Sequence, residues 1–193
     1  MVKAVSSLER PLQTIVCLAL GKFSESLLSR FQLAFLLLLR EKLKIPVEIC
    51  DPAFTQLELS MLKDFRLFII PNTRGSFPLS RPTLFFLPHS SHQLTNNVLF
   101  SNWEPSRLPY CILLSNELST IREDVIFRRN PEKLEYILKS ESVAQVVNLE
   151  DDFEYANVFS ETAIHYFPES ECSKMKESFW NQHEPRYIDP DVL

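Results

Sequence analysis

Glycine is almost missing from this chain, with two residues in 193 against a usual frequency of about 7%. A dinucleotide fingerprint needs three spaced glycines, and the chain has only Gly21 and Gly75. The four cysteines, Cys17, Cys50, Cys111 and Cys172, form no Cys-x-x-Cys pair, so no zinc spacing or disulfide framework is present. Long apolar runs are missing too. The longest block is Leu33–Leu39, whereas a bilayer span needs about 20 residues. There is no basic excess: the net charge is −5, and nucleic-acid binders are usually basic. The opening MVKAVSSLERPLQ lacks the apolar stretch of a secretory leader. No Walker loop, nucleophile elbow or His-Glu-x-x-His occurs. These absences point to a soluble chain in a reducing compartment, with neither nucleic acid nor membrane as partner.

The chain is 45% hydrophobic and holds fifteen phenylalanines, enough for one well-buried domain. Its charge is uneven. Residues 141–193 carry three basic against twelve acidic residues, which reads as a solvated face or as a docking site for a basic partner.

Short apolar runs alternate with helical patterns. Thr14–Leu20 reads as a strand covered on both faces, ended by Gly21. A helix from Ser24 to about Leu43 follows, with Leu27, Leu28, Phe31, Phe35, Leu38 and Leu39 on one face and Leu33, Leu36 and Leu37 broadening it. That pattern predicts a deeply buried helix. Val47–Cys50 is the second strand. Thr55 and Glu58 form a capping box that opens a helix to about Lys63. Leu67–Ile70 and Thr83–Leu87 are the third and fourth strands. A helix over about 91–101 and the strand Tyr110–Leu114 come next. Asn130-Pro131 starts a helix to about Lys139. Val143–Leu149 and Thr162–Phe167 are the last strands expected.

The alternation predicts an α/β fold: a three-layer, Rossmann-like domain with a mostly parallel sheet of five to seven strands. Thr14–Leu20 should lie near its centre, between Val47–Cys50 and Thr83–Leu87. Residues 1–13 are a lead-in, 14–167 the domain and 168–193 a polar tail that Phe179-Trp180 can tether. About a dozen residues join Ile70 to Thr83, little for a crossover carrying a helix.

In open α/β sheets, ligands bind outside the C-terminal ends of the strands. Gly21, Ser24, Asp51, His89, Asn97 and Asn116 are the candidate ligand-binding residues on that ground. Gly21 is either an anion site before a helix or a tight turn, and Gly75 reads as a plain turn. Asp51 is either a ribose-binding acid or the end of an Asp-Pro turn. His89 can contact a ligand, handle a proton or cap structure. With His92 it could make a two-histidine metal pair, but no third ligand lies near. His165 sits in an apolar run and reads as core. Glu150-Asp151-Asp152 reads as a solvated loop. No catalytic or metal-ligating set emerges, and the cofactor, if any, stays unknown.

Several ordered blocks are similar to the sensitivity-to-red-light-reduced (SRR-like) domain family. They are Leu20-Gly21-Lys22-Phe23-Ser24, then 29–34, Asp51-Pro52-Ala53-Phe54 with Glu58, Pro82–His89, Asn97 through Asn102-Trp103, and Ile112–Asn116. The resemblance implies a role in circadian clock input and in regulating haem biosynthesis, unidentified protein partners, and a cytoplasmic place with nuclear presence in some members. It brings no defined reaction. The chain departs from the family at Ala19, where the pattern has glycine, and at Ser90, where it has cysteine. The second change removes a thiolate beside His89. Cys172 is expected to be the most exposed cysteine. The resemblance implies a regulatory protein, and the lack of a catalytic constellation favours a non-catalytic one. The alternative is a nucleotide- or S-adenosylmethionine-dependent enzyme of methyltransferase-like type, which Gly21 and Asp51 would serve.

Overall fold

The computed structural model describes residues 11–121, 134–149 and 157–185. Within them, seven strands form one sheet: β1 (Thr14–Leu18), β2 (Val47–Cys50), β3 (Phe68–Ile69), β4 (Thr83–Leu87), β5 (Cys111–Asn116), β6 (Gln145–Asn148) and β7 (Thr162–Tyr166), in the order β3-β2-β1-β4-β5-β7-β6. The first five run parallel, and β7 lies antiparallel to both β5 and β6. β1 is central, with Ile15 opposite Val47 on one side and Leu84 on the other. It ends two residues earlier than the apolar run suggests, because Ala19 adopts a left-handed φ of 60°.

Pleating divides the core. Ile15 and Cys17 of β1 join Leu33, Leu36 and Leu39 of helix α1 (Leu27–Leu43) and Leu62 of helix α2 (Gln56–Asp64). Val16 and Leu18 join Leu94, Val98 and Leu99 of helix α3 (His92–Ser101) and Tyr136 and Ile137 of helix α4 (Glu135–Ser140). The expected deep burial of α1 does not hold. Its buried face is Ser29, Gln32, Leu33, Leu36 and Leu39, while Leu27 and Leu38 are 55% and 61% exposed. Gln32 takes a core position because Val158 O accepts its amide at 3.1 Å. Leucine lies all round this helix, so burying Leu33, Leu36 and Leu39 leaves Leu27 and Leu38 outside.

The link from β3 to β4 is an irregular loop fastened to α3. Asn97 donates to Arg74 O, and Asn102 accepts from Leu79 N and donates to Phe77 O. Gly75 is more than a turn. Its φ is +83°, and an added Cβ would stand 2.9 Å from Leu94 O and from Asn97 Cβ. Beyond β7, helix α5 (Glu169–Cys172) and a 3-10 turn (Glu177–Trp180) fold back. Trp103 Nε1 donates to Phe179 O, and its indole packs against the rings of Tyr136, Phe179 and Trp180. Cys172 is 1% exposed, contrary to the expectation for a polar tail, because α5 lays it into that core. Burial pushes its thiol up to about 11, and Glu169 and Glu171 add to the shift. Asn130-Pro131 and Glu150-Asp151-Asp152 lie outside the described residues.

Candidate functional site

The sheet order reverses at β1: the chain passes to β2 on one side and later to β4 on the other. Such a switch point leaves a crevice where the loops diverge. A cavity of about 170 Å³ sits there. Leu18 and Ala19 come to it from β1, Cys50, Asp51 and Pro52 from β2, and His89, Ser90 and Ser91 from β4; Asn72, Gly75 and Leu94 complete its wall.

Of the six candidates, Asp51 and His89 line the cavity. Gly21, Ser24 and Asn116 stand behind them. Gly21 N donates to Asp51 Oδ2 at 2.7 Å, and Ala53 N donates to Oδ1 at 2.8 Å. Ser24 donates from both its N–H and its hydroxyl to Glu58 Oε1, at 2.8 and 2.9 Å. Asn116 Oδ1 accepts from His89 N at 3.1 Å. Asn97 serves the β3–β4 loop and is not among the lining residues.

A βα turn of this kind offers its N–H groups to phosphates in nucleotide-binding folds. Here two carboxylates of the next β-α unit take those donors. Glu58 does so from a fully buried position, where it also closes the capping box with Thr55 N and Oγ1. Burial pushes its carboxyl up, but the hydrogen bonds from Ser24 and Thr55 outweigh that and hold it at about 2, against an ordinary value of 4.5. Asp51 adds negative potential to the cavity. Burial raises the Cys50 thiol first, and the Asp51 charge raises it further.

His89 is exposed and has a φ of 54°, a conformation uncommon for a residue with a side chain. Its Nε2 lies 3.1 Å from Asn157 O and 3.2 Å from Val158 O. Carbonyl oxygens only accept, so Nε2 carries the proton. The ring thereby ties the turn after β4 to the segment before β7. His165 is a core residue. Leu118 N donates to its Nε2 at 3.3 Å, and burial lowers its pKa from 6.5 to about 4. Among the described residues no group of three or more His, Cys, Asp or Glu is placed to hold a metal ion, and no helix is long and apolar enough to cross a membrane.

The sequence reading missed Ala19, Asn72 and Ser91 as cavity residues. Ala19 carried a signal, since it replaces a glycine of the family pattern and occupies a glycine-like φ. Asn72 carried none, because it is brought in by an irregular loop.

An open α/β sheet with a walled cavity at its switch point defines a ligand-site architecture shared by many unrelated activities. Comparison narrows it: the SRR1 domain profile matches residues 1–166, and the chain belongs to the SRR1 domain family. It is 32% identical to an SRR1-like protein of Drosophila melanogaster over 192 residues, 98% of this chain and 68% of that one. A mouse SRR1-like protein is 35% identical over 129 residues, 64% of this chain and 52% of that one. Protein SENSITIVITY TO RED LIGHT REDUCED 1 of Arabidopsis thaliana is 25% identical over 177 residues, 86% of this chain and 62% of that one. The matches thus span about half to two thirds of these relatives' own lengths.

Proposed function

We propose that this chain is a non-catalytic regulatory protein that senses a small molecule at the switch-point cavity and passes the signal to a protein partner. The clock-input and haem-biosynthesis roles implied by the family resemblance are the processes it would serve, from the cytoplasm. The name of the Arabidopsis relative, which refers to red-light sensitivity, supports a signalling role. The reading includes a three-layer, Rossmann-like arrangement, supported by helices that join the core on each side of the sheet.

One observation carries the choice over the nucleotide-dependent enzyme. The turn after β1 gives its Gly21 and Ser24 N–H groups to the chain's own Asp51 and Glu58. A phosphate or an S-adenosylmethionine carboxylate there would meet these two anions in place of the Gly21 and Ser24 N–H groups. The test is a thermal-shift panel of nucleotides, S-adenosylmethionine, hemin, porphyrin precursors and small metabolites, since a ligand of the folded state raises the melting temperature by mass action. Stabilisation by a small metabolite without turnover is the expected result. Stabilisation by S-adenosylmethionine or a nucleotide would overturn the reading in favour of the methyltransferase-like alternative.

A further inference from the structure

The geometry points to a small organic cation, about the size of one aromatic ring, as the ligand of the switch-point cavity, with its ammonium or amidinium group held by Asp51. This inference rests on the reading of the cavity as a ligand site and adds the chemistry of the ligand.

Charge is the first argument. Among the described residues, the cavity wall includes one carboxylate, Asp51, one imidazole, His89, and no lysine or arginine. Arg74 lies between Asn72 and Gly75 in sequence but is not part of the wall. The N-terminus of α3 does border the cavity and favours negative charge, but it amounts to only about half a unit charge. Ser91, its cap, already accepts the Leu94 N–H. The full charge of Asp51 prevails over that half-charge. Two thiols respond to the same field: burial first, and then Asp51, raises both Cys17 and Cys50.

Hydrogen-bonding capacity is the second argument. A carboxylate offers about four acceptor sites. The backbone N–H groups of Gly21 and Ala53 fill one on each oxygen, at 2.7 and 2.8 Å. They hold the carboxylate in place and leave acceptor sites on both oxygens. A ligand bringing N–H donors with positive charge satisfies them; a ligand bringing further acceptors does not.

Size is the third argument. An engineered apolar cavity of roughly 150 Å³ holds benzene, and this one measures about 170 Å³. Leu18, Ala19, Pro52 and Leu94 give it apolar walls against which a ring can pack. Only a ring-sized part of a dinucleotide or a haem would fit within it.

The test uses the full chain, ¹⁵N-labelled, titrated with benzylamine, benzyl alcohol and benzoate while backbone amide shifts are followed. Benzylamine should move the Ala19, Gly75 and Ser90 amides and bind about tenfold more tightly than benzyl alcohol, a difference of about 1.4 kcal/mol. Benzoate should leave these amides in place. In Asp51→Asn the preference for benzylamine should vanish. The carboxamide of that variant must give up one of the two backbone contacts, so its folding is checked from its spectral dispersion. If it does not fold, salt replaces it: raising ionic strength from about 0.1 to about 1 M shortens the screening length from ~10 to ~3 Å, and should weaken benzylamine several-fold without changing benzyl alcohol. Benzoate binding as tightly as benzylamine, or benzylamine binding that ignores both Asp51→Asn and salt, overturns the cation assignment and leaves the ligand-site reading standing. Failure of all three probes to shift any cavity amide overturns both.

Discussion

Glu58→Gln is the substitution that most directly measures how the first two β-α units are joined. The wild-type carboxylate accepts four hydrogen bonds: from Ser24 N and Oγ through Oε1, and from Thr55 N and Oγ1 through Oε2. Glutamine keeps the shape but turns one acceptor oxygen into an NH₂ group. Whichever way its amide is flipped, that NH₂ faces one backbone N–H and one hydroxyl. The hydroxyl can rotate and become the acceptor; the backbone N–H cannot, and loses its partner in a partly buried site, at the lower end of a cost of about 1–3 kcal/mol. The surviving bonds also lose their charge assistance. The expected destabilisation is about 2 kcal/mol, and Glu58→Ala should exceed it by removing all four bonds and half the capping box. Urea unfolding followed by far-ultraviolet circular dichroism checks this. With a slope of about 2 kcal/mol/M, the Glu58→Gln midpoint should fall by about 1 M. The carboxyl lies at about 2 when folded and ordinarily at 4.5, so its contribution is complete above pH 4.5 and disappears as the pH falls towards 2. Wild type should lose stability across that window, and Glu58→Gln should lose less. A midpoint within about 0.2 M of wild type, or equal slopes with pH below 4.5, would refute the reasoning.

Ala19→Gly should stabilise the chain. An alanine at φ 60° carries a left-handed penalty of about 1–2 kcal/mol, and glycine gives back up to about 1 kcal/mol through its freer unfolded state; thermal unfolding should show a net gain of about 0.5 kcal/mol, and a loss would sink the strain argument. Gly75→Ala should cost at least about 1–3 kcal/mol, since a Cβ would overlap Leu94 O and Asn97 Cβ at 2.9 Å and strain the left-handed turn; unfolding at the wild-type midpoint would contradict the close approach. His165, with its pKa lowered by burial from 6.5 to about 4, favours the folded state fully above pH 6.5 and progressively less as the pH drops towards 4; denaturant midpoints measured between those values should decline, and His165→Gln should flatten the decline. Hemin added to the reduced protein should give no saturable one-to-one Soret shift. The cavity beside His89 is too small to enclose a porphyrin, and all four thiols are buried. A shift lost in His89→Ala would make His89 an iron ligand.

Much of the sheet was legible because each strand is a short apolar run bounded by a breaker, as in Thr83–Leu87 before Pro88. The central place of β1 followed from its lack of any polar face. The reversed direction of β7 was not legible, since a run such as Thr162–Phe167 reads the same in either direction. The face that α1 buries was hidden because leucine lies all round the helix, and the core place of Gln32 is met by a long-range bond to Val158 O. In the site, strand-end logic placed Asp51 and His89 at the cavity. What it could not show was that Gly21 and Ser24 are already engaged, because their partners Asp51 and Glu58 stand 30 and 34 residues further along the chain. Side-chain acceptors that distant leave no periodic trace in sequence.

The aromatic clasp over Trp103 sets a timetable for synthesis. Trp103 is sealed by Phe179, 76 positions later, and Tyr136 Oη both donates to His183 O and accepts from His183 N. At about 5–20 residues per second, a ribosome takes roughly 4–15 s to deliver the segment that covers the indole after the indole itself has been made. Throughout that interval the indole lacks its cover, and from the synthesis of Tyr136 onward the phenol lacks its partner too. A chain interrupted before Phe179 would never lose that mark, so the arrival of this turn is what tells a finished fold from an arrested one.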